Sequence, residues 1–177
     1  MALVKWDFDY AHSSIEFTVR HLLVSKVRGR FTKWTGSLSL DEQNLSASHA
    51  EVEIDVASVD THEAQRDAHL RSGDFFEVEQ HPKLTFKSKR VEEKPNQHLA
   101  ITGDLTLRGV TQEVVLDVER QGVVEKDPWG KRRAGFTATT VINRKDYGVS
   151  FNVILDQGGL GLSEEVQIAI EIEATQA

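Results

Sequence analysis

Apolar and polar residues alternate along most of this chain. Ile15, Phe17 and Val19 share one parity, and the residues between them are polar. Successive side chains of a β-strand point to opposite faces, so this pattern predicts a strand that buries one face. The same alternation recurs at residues 50–56 and 99–107 and again near the C-terminus. The chain is therefore predicted to be rich in half-buried strands.

Further segments of similar composition bring the number of predicted strands to about eight, separated by turn-forming pairs such as Pro95-Asn96 and Asp127-Pro128. A chain of 177 residues can bury a sizeable core as one domain. We therefore predict an all-β protein with a single domain over residues 1–177, folded as an antiparallel barrel or sandwich.

Two features of the pattern concern the shape of this sheet. In the second strand the apolar positions are odd up to Phe31 and even from Trp34 onwards, which predicts an inserted residue or a kink. Gly29, Gly36 and Gly103 fall on the apolar parity of their strands. A glycine there permits a sharp bend or leaves space beside the backbone. The second alternative predicts a hollow barrel that holds an apolar ligand.

One charged segment interrupts the alternation between the third and fourth predicted strands. Asp60, followed three residues later by Glu63, resembles a capping box, and Gly73 is placed to end a helix. Phe75 and Phe76 follow as apolar anchors. We therefore predict a short helical insertion that crosses one end of the barrel.

The charges of this insertion suit two different roles. Arg66, His69 and Arg71 are donors for an anionic head group, because guanidinium binds phosphate or carboxylate through parallel hydrogen bonds. Alternatively, Arg66, Asp67, Arg71 and Asp74 pair with one another and with neighbouring strands, and so lock the helix in place. The sequence leaves both roles open.

Composition and motifs exclude several classes of function. The chain has no cysteine, which excludes disulfides, thiolate nucleophiles and sulfur-ligated metals. Its net charge of -7 argues against sequence-independent nucleic-acid binding. His62-Glu63 begins the zinc-protease pattern HExxH, but Arg66 stands where the second histidine is needed, so we predict no metal site. No nucleophile elbow of the GxSxG type, no phosphate-binding glycine loop and no dinucleotide fingerprint occurs, and we predict no catalytic residue and no required cofactor.

The sequence also bears on location. No apolar run approaches the roughly 20 residues that span a bilayer, so we predict no integral membrane segment. The N-terminal residues lack the apolar region and cleavage site of a secretory signal. We therefore expect a cytoplasmic protein, or a periplasmic one if a signal has been removed.

Four longer stretches carry a family resemblance: HSSIEFTVRHLLVSKVRGRF, RDAHLRSGDFFEVEQHPKLTF, GDLTLRGVT and NRKDYGV. In this order, and over nearly the whole chain, they resemble the YceI-like family of polyisoprenoid-binding proteins. The resemblance implies a lipocalin-like antiparallel barrel with an elongated apolar tunnel, a homodimer, and carriage or storage of long isoprenoid or other lipid tails of the quinone or prenyl-diphosphate type. It implies no catalytic activity.

The leading hypothesis is non-enzymatic lipid binding in an apolar tunnel. We predict a lining formed by Phe17, Val19, Phe31, Ile101, Leu105, Phe136 and Ile170. The candidates for the entrance or the head group are Arg20, His21, Arg66, His69, Arg71, Phe75 and Phe76. One alternative is an enzyme for an isoprenoid-like substrate, with acid-base chemistry by His69, Asp67 or His21. Another is a stress-related interaction module with a solid barrel.

Overall fold

The computed structural model describes residues 2–22, 24–153 and 161–177. Within these ranges the alternating segments form strands and the charged interruption forms one α-helix, α1 (Ala64–Arg71). The strands in chain order are β1 (Val4–Phe8), β2 (Ser14–His21), β3 (Ser25–Phe31), β4 (Trp34–Leu40), β5 (His49–Asp55), β6 (Val59–Asp60), β7 (Lys83–Lys94), β8 (His98–Leu107), β9 (Val110–Val124), β10 (Arg133–Asn143) and β11 (Glu165–Gln176).

These strands close into an antiparallel barrel. The order around it is β1-β4-β5-β7-β8-β9-β10-β11, and β11 pairs with β1 to complete the ring of eight. The remaining three strands lengthen the sheet at one end of the barrel. There β2 pairs with β11, β3 pairs with β2, and β6 pairs with β3. The predicted all-β, lipocalin-like barrel of about eight strands is confirmed, and the sandwich alternative is excluded by the closure.

The predicted kink lies between β3 and β4. Thr32 and Lys33 leave the ladder there, and the Lys33 carbonyl accepts a hydrogen bond from the Asp55 N–H at 3.0 Å. This two-residue break changes the parity of the chain, so Phe31 and Trp34 both face the interior, with 6% and 7% of their surface exposed. The parity change in the sequence therefore marks a real corner of the barrel.

Helix α1 lies between β6 and β7, which confirms the predicted insertion between the third and fourth positions of the barrel. Its N-cap is Glu63, whose carboxylate accepts hydrogen bonds from the N–H groups of Gln65 and Arg66. The prediction that Asp60 caps the helix was wrong, because its carboxylate accepts from the N–H of His62 in the preceding turn. No helix in the described ranges is long and apolar enough to cross a membrane.

The three inward glycines do not leave empty space. A side chain at Gly29 would collide with the ring of Phe17, its cross-strand partner. A Cβ at Gly103 would lie 2.5 Å from the ring of Phe86, and one at Gly36 would lie 2.8 Å from the ring of Phe8. Each glycine therefore makes room for an aromatic ring that crosses its strand.

Candidate ligand cavity

The barrel encloses a cavity of about 830 Å³. Much of its wall consists of strand side chains of inward parity, as illustrated by Ala138, Thr140 and Ile142 of β10 and by Ile168 and Ile170 of β11. These residues are mostly aliphatic or aromatic, so the interior is apolar along its length. An apolar cavity of this size is typical of sites that bury a small molecule or a lipid tail.

The structure places all the residues that were predicted to line a tunnel on the wall of this cavity. Phe31 and Leu105 are buried, with 6% and 7% of their surface exposed, and the others are half-buried. The complete set is Phe17, Val19, Phe31, Ile101, Leu105, Phe136 and Ile170. Their contact with a ligand stays a prediction.

The segment after α1 closes one end of the barrel with two neighbouring phenylalanines. The ring of Phe76 lies 5.8 Å from that of Phe31 and 6.5 Å from that of Phe17. Phe75 turns the other way and packs 5.3 Å from Phe151. Both rings belong to the cavity wall. Because they enter two different aromatic groups, they hold the insertion against both sides of the opening.

The helical arginines contact the protein's own backbone. Arg66 donates from Nε to the Thr61 hydroxyl and from Nη2 to the Thr61 carbonyl, both at 2.8 Å. Arg71 donates from Nε to the Ala57 carbonyl at 2.9 Å and from Nη2 to the Val59 carbonyl at 3.3 Å. These bonds tie α1 to the chain before it, which favours the locking role. Arg66 also lines the cavity.

Three further entrance candidates lie at the same end. His69 lines the cavity, with Nε2 2.8 Å from the Asp74 carboxylate and its ring 4.9 Å from that of Phe151. His21 also lines it and forms an isolated bridge to Leu162. Arg20 is exposed and Arg71 is half-buried, and neither belongs to the cavity wall. The structure therefore brings His21, Arg66, His69, Phe75 and Phe76 together on the wall.

Sequence reasoning missed two arginines that face inwards. Arg120 continues the inward parity of Val118 on β9, and Arg144 continues that of Ile142 at the end of β10. Arg120 pairs across the strands with Phe136, so the two arginines lie near opposite ends of the cavity. The alternation of the sequence could have revealed both, because each arginine occupies the next inward position after the apolar residues of a strand.

Arg144 is the more deeply buried of the two, with 5% of its surface exposed. Its Nε donates to the Ser163 carbonyl at 2.9 Å, and its Nη1 donates to the carbonyls of Val149 and Phe151 at 3.0 and 2.7 Å. Its Nη2 is buried and has no hydrogen-bond partner in the described ranges. Burial lowers the pKa of Arg144 from its usual value, and the charge of Glu164 opposes this shift in part.

The opposite end of the barrel is held by ion pairs. Arg133 donates to the carboxylates of Asp9 and Glu173 at 2.6 and 2.9 Å. Asp9, His12 and Glu173 bring possible metal ligands within 4.8 Å of one another. The guanidinium of Arg133, however, already bridges the two carboxylates, and the hydrogen bond from Arg133 lowers the pKa of Asp9. The cluster is therefore better explained as a structural ion pair than as a metal site.

Comparison with known proteins agrees with this architecture. A UPF0312 protein of Vibrio cholerae is 40% identical over 166 residues, which cover 94% of this chain and 83% of that protein. The crystal structure of a Campylobacter jejuni YceI protein superposes with a TM-score of 0.76 at 33% identity, covering 89% of this chain and 90% of that one. Burkholderia cenocepacia BcnA superposes with a TM-score of 0.82 at 24% identity, covering 96% of this chain and 100% of that one.

A more distant likeness concerns a polyisoprenoid-binding domain from Saccharophagus degradans, implicated in plant cell wall breakdown. It superposes with a TM-score of 0.68 at 17% identity and covers 99% of this chain and 100% of that one, so it supports the fold alone. The model of the YceI-like domain matches residues 6–174. With the closed barrel, its apolar cavity and relatives similar over almost their whole length, the chain belongs to the YceI-like domain family.

Proposed function

We propose that this protein binds a long-chain isoprenoid, or a lipid of similar shape, inside its barrel and carries or stores it without chemical change. The observation that supports the proposal is the cavity of about 830 Å³ with its apolar wall. A solid barrel serving only as a protein-interaction module would leave this cavity without a role.

Burial of the tail accounts for the affinity. Each methylene group removed from water contributes about 0.8 kcal/mol, so a tail of about twenty such groups contributes roughly 16 kcal/mol. Association costs on the order of 4–15 kcal/mol in lost freedom. A long chain can therefore bind tightly without polar contacts, and the polar groups at the cavity ends set its direction more than its affinity.

The isoprenoid class is proposed by analogy with the polyisoprenoid-binding domain of Saccharophagus degradans, which shares this fold. The surroundings of the candidate acid-base residue His69 bear on the enzymatic alternative. Its Nε2 is engaged with Asp74, and its ring packs between Phe75 and Phe151. Nucleophilic catalysis needs a hydroxyl hydrogen-bonded to an imidazole, and the hydroxyl of the neighbouring Ser72 donates instead to the backbone carbonyl of His69.

Native mass spectrometry of freshly purified protein tests the proposal. We expect an adduct whose mass, after organic extraction, identifies a lipid with a long apolar chain. Protein purified without lipid should take up an added prenyl alcohol with one-to-one stoichiometry. Protein that carries no lipid and takes up none of a series of prenyl alcohols would overturn the proposal.

Two further properties are part of the proposal. We propose a cytoplasmic location, which fractionation of cells that express the full-length protein would test. We also propose a homodimer, which the family resemblance implies, and light scattering of the purified protein would give its mass in solution. A periplasmic or a monomeric protein would correct these points without affecting lipid binding.

A further inference from the structure

We propose that Arg144 anchors an anionic head group of the bound lipid at the end of the cavity that α1 closes. This inference rests on the proposed function, because it assigns a direction and a head-group class to a lipid already in the barrel. The ligand class is a long apolar chain that ends in a carboxylate or a phosphate.

The first argument is the missing counter-charge. The guanidinium of Arg144 is bonded to the carbonyls of Ser163, Val149 and Phe151, which are neutral acceptors. In the ranges that the structure describes, no carboxylate lies within 4.0 Å of it, and Glu164 pairs instead with Lys145 at 3.4 Å. A buried charge is costly unless it is paired. An anion in the cavity would supply the missing partner.

The second argument is position. Arg144 belongs to the cavity wall, and its neighbours on the wall, Val149, Phe151 and Leu162, are apolar. An anion beside these residues would be shielded from water, and a charge interaction is stronger in such surroundings than at the surface. Nη2 is buried and no described protein atom accepts from it, so its N–H groups are the unsatisfied donors of this part of the wall.

The other inward-facing arginine is a weaker anchor. Arg120 also has a buried nitrogen, Nε, without an acceptor in the described ranges. Its side chain as a whole is only half-buried, so water can solvate part of its charge, whereas Arg144 is 5% exposed. The wall at the Arg120 end also contains the carboxylate of Glu42, which Arg132 holds ionised by lowering its pKa. That carboxylate is already paired with Arg132, so a second anion at that end would meet an ion pair beside the half-buried Arg120. The two ends of the cavity thus differ in how strongly they attract an anion, and this difference gives the lipid a direction.

Three ligands with one chain test the inference: geranylgeranoic acid, geranylgeranyl phosphate and geranylgeraniol. We expect wild-type protein at pH 8 to bind one or both anions about ten- to a hundredfold more tightly than the alcohol, the usual effect of a charge-assisted hydrogen bond. The acid and the phosphate distinguish the two possible head groups. Arg144→Met should abolish the preference, and Arg144→Lys should keep it in part. Arg120→Met removes the same charge from the other end and should leave it unchanged.

The outcomes separate the two proposals. If wild-type protein binds none of the ligands, lipid binding itself is wrong. Equal affinity for the alcohol and both anions would leave lipid binding intact and overturn the anchor, as would loss of the preference in Arg120→Met alone. Should Arg144→Met not fold, a diazirine next to the carboxylate of the acid decides the question in wild-type protein. Crosslinks to residues 144–153 support the anchor, and crosslinks to residues 118–123 overturn it.

Discussion

The ring of Phe17 lies across the strand on Gly29, so the missing side chain at one position makes room for an aromatic wall at the other. Both residues have inward parity, and Phe17 in turn packs 5.6 Å from Phe31. The position of the Phe17 ring in the cavity wall therefore depends on the absence of a side chain at Gly29, which is not itself part of that wall.

The Gly29→Ala variant should be less stable than the wild type. The new methyl group would push the Phe17 ring out of its place, and such overpacking costs about 1–3 kcal/mol. Urea denaturation measures the change in unfolding free energy. The matched control is Gly73→Ala, where a Cβ would meet nothing within 4 Å. Equal midpoints for the two variants would contradict the close packing described here.

Filling the middle of the cavity should block ligand uptake. Ala138 is 7% exposed and lines the cavity, whereas Val141 on the same strand is 55% exposed and faces outwards. We expect Ala138→Trp to weaken binding of a long prenyl alcohol at least tenfold because an indole would occupy the path of the chain. Val141→Trp should bind as the wild type does, with circular dichroism checking both folds. Undiminished uptake by Ala138→Trp would show that the lipid binds elsewhere.

Arg108 should hold the closing segment in place. It donates to the Gly73 and Gly148 carbonyls at 2.8 and 2.9 Å and pairs with Glu77 at 3.2 Å. Loss of these charge-assisted bonds in Arg108→Met should cost about 1–3 kcal/mol. Hydrogen exchange at residues 72–77 should become faster.

The exposed Arg90 provides the control for this experiment, since its ion pair with Glu92 joins solvent-exposed side chains and its hydrogen bond to the Thr102 hydroxyl is long, at 3.4 Å. Arg90→Met should change neither stability nor exchange by a measurable amount. Unaltered exchange at residues 72–77 in Arg108→Met would mean that Phe75 and Phe76 hold the segment without help.

Tyr147 should make the protein sensitive to alkali. Burial raises the pKa of its hydroxyl to about 12, and the hydroxyl has no hydrogen-bond partner in the described ranges. In the unfolded chain the tyrosine hydroxyl loses its proton near pH 10, whereas in the folded protein it keeps the proton up to about pH 12. The contribution of neutral Tyr147 to the free energy of unfolding is therefore complete below pH 10 and is lost as the pH rises towards 12. Tyr147→Phe should be at least as stable as the wild type at pH 7, because it removes a buried hydroxyl that has no partner, and it should lose less stability between pH 10 and 12. Identical pH profiles for the two proteins would refute this assignment.

Local alternation was enough to predict most of the fold. Strand parity repeats every two residues, so Phe17, Ile101 and Ile170 could be assigned to the interior without knowledge of their neighbours. The change of parity between Phe31 and Trp34 located a corner for the same reason. The charged insertion was equally evident because it lacks the alternation of a strand.

The tertiary structure decided which polar groups are already satisfied. Arg66 and Arg71 donate to carbonyl groups of the chain before the helix and so already have hydrogen-bond partners. The distances between these guanidinium groups and carbonyls cannot be read from any local sequence pattern. The same holds for Arg144, whose partners at Val149, Phe151 and Ser163 come from the connection between β10 and β11. The sequence alone thus determined which side chains face inwards, because that follows from backbone geometry. Only the folded chain decided which buried charge lacks a partner, because pairing depends on atoms brought together by closure of the barrel.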